Sequence, residues 1–291
     1  MTPRSWLFVP GDSPAKLAKA AAAPADALIL DLEDSVASAR KAAARREAAD
    51  FAQSVLAKAQ LWLRINAVGS PTWEQDLEVA LHGPFAGVVV PKTESGQTVR
   101  LVSDWLDRHA ARPALGIVAI ATETAAALFT LGSYAGSSPR LRGLNWGAED
   151  LSAAVGAATA REPDGGLAPL YQLARSLCLA GAAAAEVAPL ETVYPDFRDL
   201  DGLAAYAARG RRDGFVGMMA IHPAQLPVIN AAFSPSPEEV ELATRIVELF
   251  EANPEAGALS LDGRMVDRPH LRQARRILER AAALRGETPE S

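Results

Sequence analysis

Two carboxylates, Glu123 and Asp150, stand where apolar runs give way to polar ones, in IATETAAALF and NWGAEDLSA. Acids brought to one point repel unless a cation lies between them. Mg2+ suits such a pair, since it takes one or two carboxylates and fills its octahedron with water or substrate oxygens. The alternative is a pair of acids at helix starts, which the helix dipole favours. Zinc is not indicated: His82, His109, His222 and His270 are scattered, and Cys178 is the one cysteine. Arg64 interrupts the apolar run LWLRINA. An arginine in such a place must pair or bind an anion, because burying it alone is costly. Its candidate partners are Asp31, Glu33 and Asp34, acids that read as shaping a rim rather than binding a second metal. Lys92, after Pro91, reads equally as an anion-binding group or a solvated strand-end lysine. His222, before Pro223, reads as a loop-packing residue in preference to a base. No nucleophile elbow, P-loop or dinucleotide-binding glycine fingerprint is present.

These groups sit at the ends of eight short apolar runs. The runs are SWLFVPG, ALILDLED, LWLRINA, GVVVPK, ALGIVAIATE, LRGLNWGAED, ETVYPDF (from Glu191) and VGMMAIHP. Most are nearly continuous rather than alternating, the pattern of parallel strands covered on both faces. Helical patterns separate them. SPAKLAKAAAA offers Ser13 as N-cap and Pro14 in the first turn. SARKAAARREAADFAQSVLAKA, SGQTVRLVSDWLDRHAA and LAPLYQLARSLCLAGAAAA continue the alternation, and AAALFTL reads as a helix after Glu123. Eight βα units predict an α/β fold, a (β/α)8 TIM barrel over residues 1–233, with an open doubly wound sheet as the alternative. In such barrels chemistry gathers at the C-terminal strand ends. AREPDGGLAP is a Gly/Pro loop between the sixth and seventh strands. Residues 234–291 read as a C-terminal helical extension of the same functional unit: a long helix, a polar flap GALSLDGRMVDRP, and a last helix to about Arg285.

The composition excludes several classes. A chain of 291 residues with 49% hydrophobic and 22% charged residues is ordinary for a globular protein. Its net charge of -6 is spread along the chain, with no basic stripe for a nucleic-acid backbone, so no nucleic-acid partner is expected. A single cysteine forms no internal disulfide and reads as a small core residue. The start MTPRSWLFVPG breaks at Pro10-Gly11, too soon for a signal peptide, and no apolar run approaches the roughly 20 residues of a membrane span. A cytoplasmic protein without a membrane partner is expected.

Taken in order, RSWLFVPGD, DALILDLEDSV, LRIN, GVVVPK, ATETAAAL, GAEDLSA, FRDLDGL, GFVGMMAIHPAQL and LDGRMVDRPHLRQA resemble the citrate lyase beta chain family. That group, within the HpcH/HpaI aldolase/citrate lyase superfamily, also holds malyl-CoA and citramalyl-CoA lyases. The resemblance covers nearly the whole chain. It implies a (β/α)8 barrel with Mg2+ held by Glu123 and Asp150, and substrate held at the metal by Arg64. It implies that Asp267, in the flap, does acid–base work, and that the chain forms a trimer or another oligomer in which the flap covers a neighbour's site. The implied substrate is a citryl-, malyl- or citramalyl-type 3-hydroxyacyl thioester of CoA or an acyl carrier. It is cleaved to, or formed from, an acetyl thioester and a 2-oxo acid such as oxaloacetate, glyoxylate or pyruvate. Two further readings are a partner-dependent citrate lyase beta subunit and a class II aldolase acting on free 2-oxo acids. The aldolases of the wider superfamily use an early histidine base, and no histidine here precedes His82. One departure is Met218, where many relatives carry a lysine; thioester binding is altered here if that lysine helps to hold the acyl carrier.

Overall fold

A computed structural model of the chain describes residues 2–54, 58–109, 115–163 and 165–286. Ala114 of the fifth apolar run, the helical patterns' Val55, Leu56, Ala57, Ala110 and Ala111, and Asp164 lie outside them. Two compact units divide the chain, Thr2–Ala232 and the segment from Phe233 onward.

The first unit is a closed barrel of eight parallel strands in sequence order. They are β1 (Ser5–Pro10), β2 (Ala27–Asp31), β3 (Gln60–Arg64), β4 (Gly87–Val90), β5 (Gly116–Ile120), β6 (Leu141–Asn145), β7 (Ala188–Glu191) and β8 (Gly217–Ala220). The β1–β8 pairing closes the ring, with Trp6 opposite Met219. Every residue of β2, β4, β5 and β8 is buried, which is why these runs lack polar alternation. Inside the barrel Trp6, Ile29, Trp62, Val118, Leu190 and Met219 belong to one cluster. The Trp6 and Trp62 rings meet at 5.0 Å and a tilted angle. Fully burying a large apolar side chain contributes about 1.5–3 kcal/mol, so this layer is a principal source of the barrel's stability.

The helices of this unit are α1 (Pro14–Ala21), α2 (Lys41–Ser54), α3 (Trp73–His82), α4 (Gly96–Arg108), α5 (Glu149–Val155), α6 (Pro169–Ala184), α7 (Leu200–Asp213) and α8 (Leu226–Ala232). Pro14 opens α1 as expected, although the Ser13 side chain makes no capping bond. No described helix is long and apolar enough to cross a membrane.

Two local expectations are corrected. The seventh strand ends at Glu191 instead of beginning there. Pro189 hid it, because proline lacks a ladder donor and reads as a strand breaker; here its carbonyl still accepts from Val216 N at 3.0 Å. AAALFTL is not an α-helix but two 3-10 turns, Ala126–Phe129 and Leu131–Tyr134. Thr130 separates them, its hydroxyl donating to the carbonyls of Glu94 and Ala127. A side chain that takes backbone acceptors competes with helix continuation.

In the second unit α9 (Pro237–Glu251) begins with a capping box of Ser236 and Glu239. The segment predicted as a flap is an antiparallel hairpin, β9 (Ala258–Leu261) and β10 (Arg264–Asp267), followed by α10 (Arg268–Leu284). Its turn uses Asp262 at φ 50° and Gly263 at φ 78°. Two left-handed residues give a connection that matches the strands' twist. Ile246, Phe250, Val266, Leu271 and Ala274 make this unit's own core.

Candidate active site

The β5 loop explains why an acid follows a buried strand. Thr122 is fully buried, and its hydroxyl accepts from Gly147 N at 3.0 Å, tying the β5 loop to the β6 loop. Glu123 therefore lies against Gly147; a Cβ at that position would come 2.8 Å from the Glu123 Cγ. Asp150 follows in the first turn of α5. Thr124 accepts from Ala127 N at 3.3 Å and starts the first 3-10 turn.

Glu123 is 4% exposed. Burial pushes its carboxyl up to about 8. The Lys92 amide opposes the rise, while the charges of Asp150 and Glu33 add to it. That amide donates to Glu123 Oε2 at 2.5 Å. The Lys92 ammonium contacts Glu33, lies 3.2 Å from both Asp34 oxygens, and is 3.6 Å from Asp150 Oδ1. Burial pulls this lysine's pKa down, but Glu33, Asp34 and Asp150 outweigh it and hold the ammonium well above its ordinary value. Lys92 is thus neither a solvated strand-end lysine nor an open anion site. It joins the loops of β2, β4, β5 and β6.

Arg64 is anchored on the other side of Glu33. Its Nε and Nη2 donate to the two Asp31 oxygens, each at 2.7 Å. Nη1 is 3.1 Å from Glu33 Oε2, an oxygen that receives no aligned hydrogen bond. The guanidinium also lies over the Phe8 ring, 4.7 Å from its centroid. Burial raises the Asp31 carboxyl's pKa, but the Arg64 fork and the amides of Glu33 and Ser35 win and hold it below its usual value. Lys41 donates to the carbonyls of Leu32 and Glu33 at 2.7 and 2.6 Å, fixing the loop that carries these acids. The pairing weighed from sequence between Arg64 and the β2 acids is therefore present. A cavity of about 570 Å³ opens beside Arg64, walled by Phe8, Lys16, Lys19, Asp31, Ile221 and His222.

Lys16 and Lys19 are functional candidates that sequence reading missed. Both lie on α1, and an amphipathic helix ordinarily turns its lysines to solvent. His222 is exposed on the cavity wall and held by its neighbours. Its Nδ1 accepts from Ala224 N at 3.1 Å and its ring stacks on Phe197 at 4.7 Å. Met218 is wholly buried and neighbours the interior-facing Met219 in β8, so strand alternation turns it toward the helix layer. Asp267 belongs to the second unit. There it caps α10, with Oδ1 2.5 Å from His270 Nδ1, and that contact lowers its carboxyl's pKa.

Among the described residues, no three His, Cys, Asp or Glu side chains converge as a fully protein-ligated metal would need. The rim fits a different kind of centre. Asp31, Glu33, Asp34, Glu123 and Asp150 gather around Arg64 and Lys92, five carboxyls about two cations, leaving formal negative charge in excess. Two carboxylates from adjacent loops with open coordination positions suit Mg2+, which keeps waters or substrate oxygens.

A closed parallel barrel with charged side chains gathered at the C-terminal strand ends is the layout of (β/α)8 proteins that work at that rim. The HpcH/HpaI aldolase/citrate lyase family matches residues 4–223, and a C-C bond lyase family of the TIM-barrel fold matches residues 182–284. The chain belongs to the HpcH/HpaI aldolase/citrate lyase family. It is 38% identical over 277 residues to a citrate lyase subunit beta-like protein of Mycobacterium tuberculosis, covering 95% of this chain and 94% of that one. A (3S)-malyl-CoA thioesterase of Cereibacter sphaeroides is 35% identical over 289 residues, covering 97% and 95%. Among solved structures, CitE from Mycobacterium tuberculosis in complex with magnesium, acetoacetate and coenzyme A superposes with a TM-score of 0.80. It is 35% identical and covers 96% of this chain and 98% of that one.

Proposed function

We propose that the protein is a Mg2+-dependent carbon–carbon lyase acting on a citryl-, malyl- or citramalyl-type 3-hydroxyacyl thioester. The observation that carries this reading is the meeting of Glu123 and Asp150 on Lys92, within a half-buried rim of excess negative charge beside Arg64. The magnesium, acetoacetate and coenzyme A of the related CitE complex support it.

Glu123 and Asp150 would hold Mg2+. The ion supplies Lewis acidity at the substrate's hydroxyl or carbonyl oxygen. Arg64, its fork fixed by Asp31, has its remaining donor edge to offer the oxo acid's carboxylate or the thioester oxygen. As the hydroxyl gives its proton up to solvent and the carbon–carbon bond breaks, the electron pair moves onto the thioester as an enolate. Asp267, ionised beside His270, removes the methyl proton in the condensing direction, and in cleavage it relays a proton from solvent to the enolate carbon. A positioned acid–base group contributes typically about 10²–10⁴-fold. The cavity beside Arg64, with Lys16 and Lys19 on its wall, offers room and positive charge for the thioester's carrier. Barrel and C-terminal segment act as one catalytic unit, in a trimer or another oligomer whose flap closes over a neighbour's site and excludes water from the enolate. A second reading, hydrolysis of the same thioester, is favoured by the name of the Cereibacter relative.

Glu123→Ala and Asp150→Ala test the proposal. Each should abolish Mg2+ binding in calorimetric titration and reduce turnover to background, while the thermal midpoint measured in EDTA stays near or above that of the parent. Unchanged turnover in both variants would remove these residues as ligands.

A further inference from the structure

Lys92 is the residue whose placement the reaction scheme leaves unused. It sits two residues beyond β4, after Pro91, with φ at 51°, a left-handed conformation uncommon for a residue with a side chain. Such strain costs of order 1–3 kcal/mol and persists where the surroundings over-determine it. Here it lets one residue address the rim twice. The backbone N–H donates to Glu123 Oε2 at 2.5 Å. The ammonium lies against Glu33, Asp34 and Asp150, so backbone and side chain together reach both carboxylates assigned to Mg2+.

Its contacts are graded. Glu33 is nearest, Asp34 follows at 3.2 Å, and Asp150 is farthest at 3.6 Å, beyond hydrogen-bond distance. The Lys92 side chain is 33% exposed, so it has room to withdraw, whereas Glu33 is nearly enclosed. Arg64 cannot take over this task, because Asp31 occupies two of its nitrogens and its third lies against Glu33. A cation bound to Asp150 comes close to the Lys92 charge, which lies 3.6 Å from its Oδ1.

We propose that the Lys92 ammonium is a resident cation that balances the acid rim in the metal-free protein and yields Asp150 when metal binds, so that it sets the metal affinity from below. The proposal rests on the assignment of Glu123 and Asp150 as metal ligands. Lys92 is a positioning residue, since it acts through the carboxylates and not on the reacting atoms. With the ammonium in place, metal entry must overcome a like charge. Without it, Glu33, Asp34 and Asp150 lose the cation they share, and the metal-free rim repels itself.

Lys92→Met keeps the stem and removes the charge; Lys92→Gln is a second neutral variant in case the first folds poorly. Lys92→Arg keeps the charge. All three retain the amide donor to Glu123. Calorimetric Mg2+ titration, and thermal midpoints with EDTA or Mg2+, are the readouts, and neither depends on turnover. Lys92→Met or Lys92→Gln should bind Mg2+ at least about ten-fold more tightly than the parent. A divalent ion and a unit charge a few ångströms apart repel by that much even at the dielectric constant of water. The midpoint of these variants in EDTA should fall, and the rise on adding Mg2+ should grow. Lys92→Arg should bind Mg2+ much as the parent does. Weaker or unchanged Mg2+ binding in both neutral variants would overturn the proposal and leave the metal site standing. Binding in the neutral variants alone would support it in its strongest form. No Mg2+ binding in the parent or in any variant would overturn the metal assignment and this proposal together.

Discussion

Glu123 has the strongest electrostatic signature of the candidate site. Its carboxyl, pushed up to about 8 from an ordinary 4.5, holds a proton at neutral pH in the metal-free protein. Metal must displace that proton, so Mg2+ affinity should rise by about ten-fold per pH unit and level off above pH 8. Mg2+ titrations between pH 6 and 9, in two buffers of different ionisation enthalpy, would read both the slope and the proton released. Stability without metal has the opposite trend. The folded protein binds this proton more tightly than the unfolded chain, so this residue's contribution is full below pH 4.5 and is lost as pH rises toward 8. Glu123→Gln should flatten that slope in EDTA; an unaltered slope would assign it to another group. These residues were readable in the sequence as acids and an arginine at run ends. Lys92 was readable as a run-end lysine but its role was not, because a lysine after Pro91 looks the same whether it faces water or the acids of neighbouring loops. Only the fold brings Glu33, Asp34 and Asp150 to its ammonium.

The βα units show where sequence pattern is informative and where it is not. Seven of the eight strands begin within two residues of the start of their apolar runs, since burial on both faces writes itself into composition. The seventh run was displaced by Pro189, and the helix expected after Glu123 gave way to 3-10 turns through Thr130. Both departures come from side-chain and backbone hydrogen bonding that periodicity does not record. A larger example closes β7. Glu191, fully buried, accepts from Trp146 Nε1 at 2.5 Å, Arg175 Nε at 2.7 Å and the Tyr206 hydroxyl at 3.0 Å. Arg175 continues to Asp213 at 2.8 Å, so one carboxylate joins β7 to α6 and α7. Removing one partner of a buried ion pair typically costs about 3–5 kcal/mol. Glu191→Ala should lower the unfolding free energy, read from denaturant titration, by that order without changing Mg2+ affinity. Lost metal binding with unchanged stability would place Glu191 in the site instead of the scaffold.

The complete molecule combines a barrel that gathers the acid rim with a C-terminal unit that carries Asp267 on its own hairpin and helix. The proposed oligomer makes a specific demand on them. If each flap serves a neighbour's barrel, Glu123→Ala and Asp267→Asn chains are each inactive alone. Mixed by co-expression, they should regain a substantial fraction of the parent's turnover, because some sites then combine an intact rim with an intact flap. Recovery absent from mixed oligomers would return each flap to its own barrel. The most direct measurement concerns the products. The purified chain would be given malyl-, citramalyl- and citryl-CoA with Mg2+ or EDTA, and oxo acid, acetyl-CoA and free CoA would be quantified together. A carbon–carbon lyase yields oxo acid and acetyl-CoA in equal amounts from at least one of the three, only with Mg2+. Free CoA with the intact hydroxy acid, or products that persist in EDTA, would contradict it.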